Sequence, residues 1–195
     1  MRVLTPETAL FWAFDYPDLM ARFRDVLAEK MVAFNRILRT FSQNTTHGWS
    51  ITDDNSALFS PDLYRQYCYP VLERVFSALA PGESRRYQHS DSAMGHLLDQ
   101  QYELGIRSVN YGPEIDVALI REKMPDAMIH GHLPPFLLRN GSPDEIQQRL
   151  IADFEKAGQT GGLNITTAGS LAAGTGVGRM RFFMQTVQTH CRYPH

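Results

Sequence analysis

Tyr87-Gln88-His89-Ser90-Asp91-Ser92-Ala93 places a histidine and an aspartate two residues apart at the end of a short β-like run. Side chains at i and i+2 of a strand share a face, so His89 and Asp91 converge on one site. A helical pattern follows at once, and substrates of α/β proteins bind at the C-terminal ends of strands. The plainer reading makes Asp91 a cap for that helix, with His89 hydrogen-bonded beside it. What favours the functional reading is that the arrangement recurs along the chain.

Before this stretch, Pro17 opens a long helical pattern that runs to about Phe41, with Leu19, Phe23, Val26, Leu27, Phe34, Ile37 and Leu38 at three-to-four spacing. Trp49 to Thr52 reads as a strand ending in Asp53-Asp54-Asn55. Ser60-Pro61 starts a helix that ends at Pro81-Gly82. Downstream, the strands Tyr87–Asp91, Ser108–Tyr111, Met128–Leu133 and Leu163–Thr167 alternate with helices. These helices are predicted over Ala93–Glu103, Asp116–Met124, Asp144–Ala157 and Val177–Thr189. Five strands, each followed by a helix, imply parallel pairing with right-handed crossovers. The expected class is α/β, of the (β/α)₈ barrel type. Residues 1–195 are expected to form one domain, a partial barrel since only five of eight strands are counted, with no second domain.

The strand ends share a chemistry: Asp53 and Asp54, His89 and Asp91, Asn110 and Tyr111, His130 and His132, Thr166 and Thr167. Buried polar groups each need a partner, so this series is costly in a purely structural core. Gathered on one rim, it makes an active-site floor.

Composition narrows the classes. The 195 residues are 43% hydrophobic and 21% charged, ordinary for a globular chain with a sizeable core. A net charge of −2 argues against nucleic-acid binding by phosphate neutralisation. Charged residues interrupt every apolar run, which argues against a membrane span, and residues 1–7 lack a signal-peptide core. Cys68 and Cys191 form neither a metal spacing nor a disulfide framework. These features imply a reduced, cytoplasmic location.

The run Thr52–Pro70 combines an acidic strand end, Ser60-Pro61 and an aromatic-rich helix with an internal proline. It resembles the uroporphyrinogen decarboxylase superfamily. So do His89-Ser90-Asp91 followed by His96-Leu97-Leu98 and Glu103-Leu104-Gly105-Ile106, the run His130-Gly131-His132-Leu133-Pro134-Pro135, and Gly161-Gly162-Leu163 leading into Ala168-Gly169-Ser170. The likeness extends from about Pro17 to Tyr193. It implies an eight-stranded barrel, so five strands leave three unaccounted for. The family's N-terminal part, with the arginines that hold substrate carboxylates, has no counterpart. The expectation is a truncated product, or a barrel completed by another chain.

The resemblance implies two chemistries. A porphyrinogen decarboxylase needs no cofactor; for it the catalytic candidates are Asp54, His89, Tyr111 and His130, with Asp53, Asp91 and His132 binding substrate. The family's histidine after the last strand is replaced by Ala168-Gly169-Ser170. The alternative is a methyltransferase that passes a methyl group from a corrinoid protein to a thiol bound on zinc. Its ligands are a His-x-Cys pair and a distant cysteine, positions that read His89-Ser90-Asp91 and Ala168-Gly169-Ser170 here. His89, Asp91 and His130 would then be the ligands left for zinc or another divalent metal. A third class is a truncated barrel with no catalysis of its own, which ranks first for this polypeptide alone. The expected partners are a small molecule, tetrapyrrole-like or a methyl donor, and further copies of the chain, associating through open barrel edges.

Other features read more plainly. Gly174-Thr175-Gly176-Val177-Gly178 lacks both the Rossmann context and the P-loop lysine, so it reads as a loop rather than a phosphate cradle. Arg85-Arg86 reads as solvated, and His47 and His190 as surface residues. Tyr64, Tyr67 and Tyr69 read as packing. Phe11, Trp12 and Phe14 are expected to be exposed if their barrel neighbours are missing.

Overall fold

The computed structural model describes residues 4–42, 48–82 and 86–193. His47 and Arg85 fall outside the described residues. Thr5 caps the first helix, α1 (Pro6–Asp15), by accepting from the Thr8 N–H, with Pro6 at its first turn. Apolar spacing does not announce this helix, although Thr5-Pro6-Glu7 is a start signal. The long helix α2 spans Pro17–Ser42. Strand β1 (Trp49–Thr52) follows, then a 3₁₀ turn over Asn55–Leu58.

Ser60 caps α3 (Pro61–Leu63) through the Leu63 N–H, and Pro61 occupies the first helical position. A π-helical turn, Tyr64–Cys68, links α3 to α4 (Tyr69–Leu79). Pro70, which lacks an N–H, sits just after that wide turn, where the backbone pattern is already changing.

The remaining strands are β2 (Arg86–Ser90), β3 (Ser108–Tyr111), β4 (Met128–Leu133) and β5 (Leu163–Thr167). Between them lie α5 (Leu98–Glu103), α6 (Val117–Lys123), a short α7 (Pro135–Asn140) and α8 (Pro143–Ala157), and α9 (Val177–His190) closes the chain. Helix α8 starts with Ser142 as its cap and Pro143 at its first position. Ser142 accepts from the Glu145 N–H, and the Glu145 carboxylate accepts from the Ser142 N–H in return. The helix α7 is additional to the predicted elements; at six residues it is too short to show a period.

All four pairings are parallel, and the order β1-β2-β3-β4-β5 follows the chain. The fold is therefore α/β of the barrel type, partial, with β1 and β5 as edges among the described residues. One face of the sheet carries Trp49, Ile51, Val109, Tyr111, Ile129 and Ile165, and these join a single apolar cluster with the helices. Alternation turns the other positions to the opposite face: Ser50, Thr52, Tyr87, His89, Ser108, Asn110, His130, Asn164 and Thr166. Met128, exposed at the start of β4, shares this face, and none of these residues is a branched aliphatic. Barrel interiors are mostly filled by branched apolar side chains. Here the concave face is polar, and at its edges Ser50, Thr52 and Asn164 are exposed to water.

Candidate functional site at the strand ends

The rim at the C-terminal ends of β1, β2 and β3 is tied together by side chains. Asp54, just beyond β1, accepts from the Asp91 N–H at 2.8 Å and from the Ser90 hydroxyl at 3.2 Å. His89 and Asp91 lie as their spacing requires, with Nε2 3.5 Å from Oδ1. The other ring nitrogen, Nδ1, is 2.8 Å from Oδ1 of Asn110 on β3. The Asn110 amide in turn reaches the His130 and Thr167 carbonyls and the Gly169 N–H.

The Asp91 carboxylate packs against Gly169, where φ is +85° and a Cβ would lie 2.5 Å from Oδ1. Only glycine meets both conditions without displacing the carboxylate. Asp91 also forms one wall of an open groove of about 390 Å³, lined further by Glu114, Phe136, Ala168, Ser170 and Leu171. A larger recess, about 790 Å³, lies at the opposite end of β1 beside Leu38, Arg39 and Phe41. There the Arg39 guanidinium is already spent on the Gly48 and Leu79 carbonyls. The groove at Asp91 adjoins the rim, with His89 behind Asp91 as its neighbour, so it is the candidate site.

His130 lies one layer below His89. Its Nδ1 is 3.0 Å from the Asn164 amide nitrogen and its Nε2 is 3.0 Å from the Ser108 hydroxyl. Its ring meets Tyr87 edge to face. Partial burial holds it below the usual histidine range, which favours the neutral ring that these two contacts need.

Three of the predicted site residues point elsewhere. Tyr111 is fully buried on the helix face, and its hydroxyl donates to Gln101 at 2.5 Å. Strand alternation sends Val109 and Tyr111 to the helices, so the site residue of that strand end is Asn110. Burial pushes the Tyr111 phenol well above its usual range, so it stays protonated, with its hydrogen directed to Gln101 and away from the rim. His132 is also buried in the helix layer, 1% exposed, with Nε2 donating to the Ile115 carbonyl at 2.7 Å. Asp53 serves its own turn by accepting from the Asn55 and Ser56 N–H groups and from the Ser56 hydroxyl. That leaves Asp54, His89 and Asp91 on the rim, with His130 connected through Asn110.

The ligand set His89, Asp91 and His130 does not fit a metal. Both His130 nitrogens are engaged by Ser108 and Asn164, and His89 Nδ1 by Asn110. Among the described residues no three His, Cys, Asp or Glu side chains are grouped to hold an ion. Cys68 lies in the π-helical turn before α4, and burial pushes its thiol up to about 12. Zinc-bound thiolate chemistry needs a soft donor or a third ligand, and neither is assembled.

Secondary readings also sort out. Tyr64 and Tyr67 are buried packing residues, and His190 is exposed. Arg86 is not solvated; its guanidinium is bound by the Ala80 and Leu104 carbonyls. Phe11 and Phe14 are exposed, whereas Trp12 packs edge-on against Phe23.

The model of the family described as uroporphyrinogen decarboxylase (URO-D) matches residues 2–190. The chain belongs to the uroporphyrinogen decarboxylase family. Among similar curated proteins, the uroporphyrinogen decarboxylase of Synechocystis sp. is 24% identical over 184 residues, covering 90% of this chain and 49% of that protein. The uroporphyrinogen decarboxylase of Microcystis aeruginosa is 22% identical over the same length, again covering 49% of its own chain. The chain thus spans about half the length of these family members. Among solved structures, a methyltransferase from Methanosarcina mazei superposes with a TM-score of 0.73 at 18% identity, over 95% of this chain and 54% of that one. At that identity the likeness establishes the family fold. No described helix is long and apolar enough to cross a membrane.

Proposed function

We propose that the chain carries the acid–base rim of a carboxy-lyase of the uroporphyrinogen decarboxylase type, acting on a porphyrinogen or a related polycarboxylate. The observation that carries this reading is the unit His89–Asp91–Asn110 at the strand ends, beside an open groove and without a metal-ligating third group among the described residues. The two curated relatives named above support the same activity. Decarboxylation of a pyrrole acetate arm begins with protonation of the ring carbon. The bond to the carboxylate then breaks, its electron pair enters the ring and carbon dioxide leaves. Protonation of the exocyclic carbon and loss of the ring proton give the methyl group, with one proton taken up overall. His89 is the group placed to carry that proton, and Asp91 stabilises the imidazolium while it does so. Asp54 holds the Asp91 backbone in place.

The cationic groups that would hold the substrate's other carboxylates do not line the groove, whose ionisable walls are Asp91 and Glu114. The resemblance implies that they come from the part of the family's length that this chain does not span. Methyl transfer, the activity for which the Methanosarcina mazei protein is named, is the second reading; the donor set at His89 weighs against it.

The test is turnover of an octacarboxylic porphyrinogen by the purified chain, with oxidised products counted by carboxylate number. Loss of carboxylates that His89→Ala and Asp91→Asn abolish supports the reading. No turnover, together with zinc- and thiol-dependent demethylation of methylcobalamin that requires His89, replaces it with methyl transfer. No turnover in either assay leaves a barrel segment without catalysis of its own.

A further inference from the structure

Asn110 is 7% exposed and uses both ends of its amide. The nitrogen lies against the His130 and Thr167 carbonyls, which can only accept. The oxygen lies 3.1 Å from the Gly169 N–H, which can only donate. These contacts orient the amide without reference to His89. The group facing His89 Nδ1 at 2.8 Å is therefore an acceptor, so the hydrogen of that bond sits on Nδ1.

We infer that Asn110 is a positioning residue that locks His89 as the Nδ1–H tautomer and so presents an unprotonated Nε2 beside Asp91. With the ring neutral, Nε2 and the Asp91 carboxylate are two acceptors 3.5 Å apart. The hydrogen that joins them comes from outside, either as a proton or from a donor group of a ligand in the groove. Histidine roles are set in this way, by the partner of the opposite ring nitrogen. Gly169 serves both halves of the device, since its N–H holds Asn110 and its missing Cβ admits Asp91.

The chemical meaning of this assignment rests on the reading proposed above, but its test does not. The ¹⁵N-labelled full chain is examined by long-range ¹H–¹⁵N correlation at a pH of about 8, above the ordinary histidine range. His89→Gln assigns the signals. Wild type should show a protonated Nδ1 and a pyridine-type Nε2 at His89. Asn110→Ala should move the proton to Nε2, the form that free histidine prefers and that the Asp91 carboxylate can accept from. Asn110→Asp, which keeps an acceptor opposite Nδ1, should restore the wild-type pattern. A wild-type His89 with its proton on Nε2 overturns the inference, as does a folded Asn110→Ala that keeps the proton on Nδ1. If Asn110→Ala does not fold, the wild-type spectrum still decides. A negative decarboxylation assay beside a protonated Nδ1 would overturn the proposed activity and leave this assignment standing.

Discussion

At the residue scale, the histidines divide by what surrounds each ring. His89 lies on the concave face between an amide and a carboxylate, and His130 between an amide and a hydroxyl. His132 is sealed in the helix layer, and its Nδ1 has no hydrogen-bond partner among the described residues. Burial is the main cause that depresses its pKa, opposed by the hydrogen bond to the Ile115 carbonyl. A histidine depressed in the folded state binds fewer protons there than in the unfolded chain. Stability should therefore be full above about pH 6.5 and fall as the pH drops toward the folded-state pKa. The slope should approach about 1.4 kcal/mol per pH unit for this one group. Urea midpoints measured between pH 8 and pH 5 should show that decline, and His132→Gln should flatten it. An equally steep decline in the variant would assign the acid sensitivity to other groups. Sequence spacing put His130 and His132 on one face, but the Ile115 carbonyl holds His132 in the helix layer.

At the element scale, the strands were legible because their two faces have different chemistry. Within β3, Ser108 and Asn110 turn to the concave face, while Val109 and Tyr111 turn to the helices. A strand end names two adjacent residues, and only the packing of the sheet says which one faces the rim. Tyr111 is thus a core residue whose hydroxyl holds Gln101 on α5. Tyr111→Phe should lower stability by about 1–3 kcal/mol, because Gln101 loses its buried partner. The same change should leave the His89 signals and any turnover unaltered. Loss of activity in a fully stable Tyr111→Phe protein would return Tyr111 to the site. Helix starts were legible at Ser60 and Ser142, where a hydroxyl precedes a proline at the first helical position. The start at Thr5 has the same form, but α1 lacks the sharp apolar periodicity that marks α8. Its exposed Phe11 and Phe14 lie outside the buried face.

At the scale of the whole molecule, both edge strands lack an outer neighbour among the described residues. Beside β1, α2 exposes Val26, Phe34, Ile37, Leu38 and Phe41, which fall within one arc of the helix. An exposed apolar stripe beside an unpaired edge, broken by Lys30, favours association. Sedimentation over a hundredfold concentration range should show species larger than the monomer, reduced by Phe34→Ser with Phe41→Ser. A monomer throughout would mean that the stripe is tolerated in water. The polar concave face suits this openness, since Ser50, Thr52 and Asn164 at its edges meet solvent. The sequence by itself determined the alternation of strands and helices, the parallel class and the convergence of His89 with Asp91. Each of these depends on local period and spacing, which chain geometry enforces wherever the segment lies. Tertiary structure alone decided that Asn110 rather than Tyr111 joins the site, that His132 and Asp53 leave it, and that Gly169 comes up against Asp91. Those outcomes depend on which partners other strands bring to each polar atom, and a buried polar atom settles where its hydrogen bond can be made.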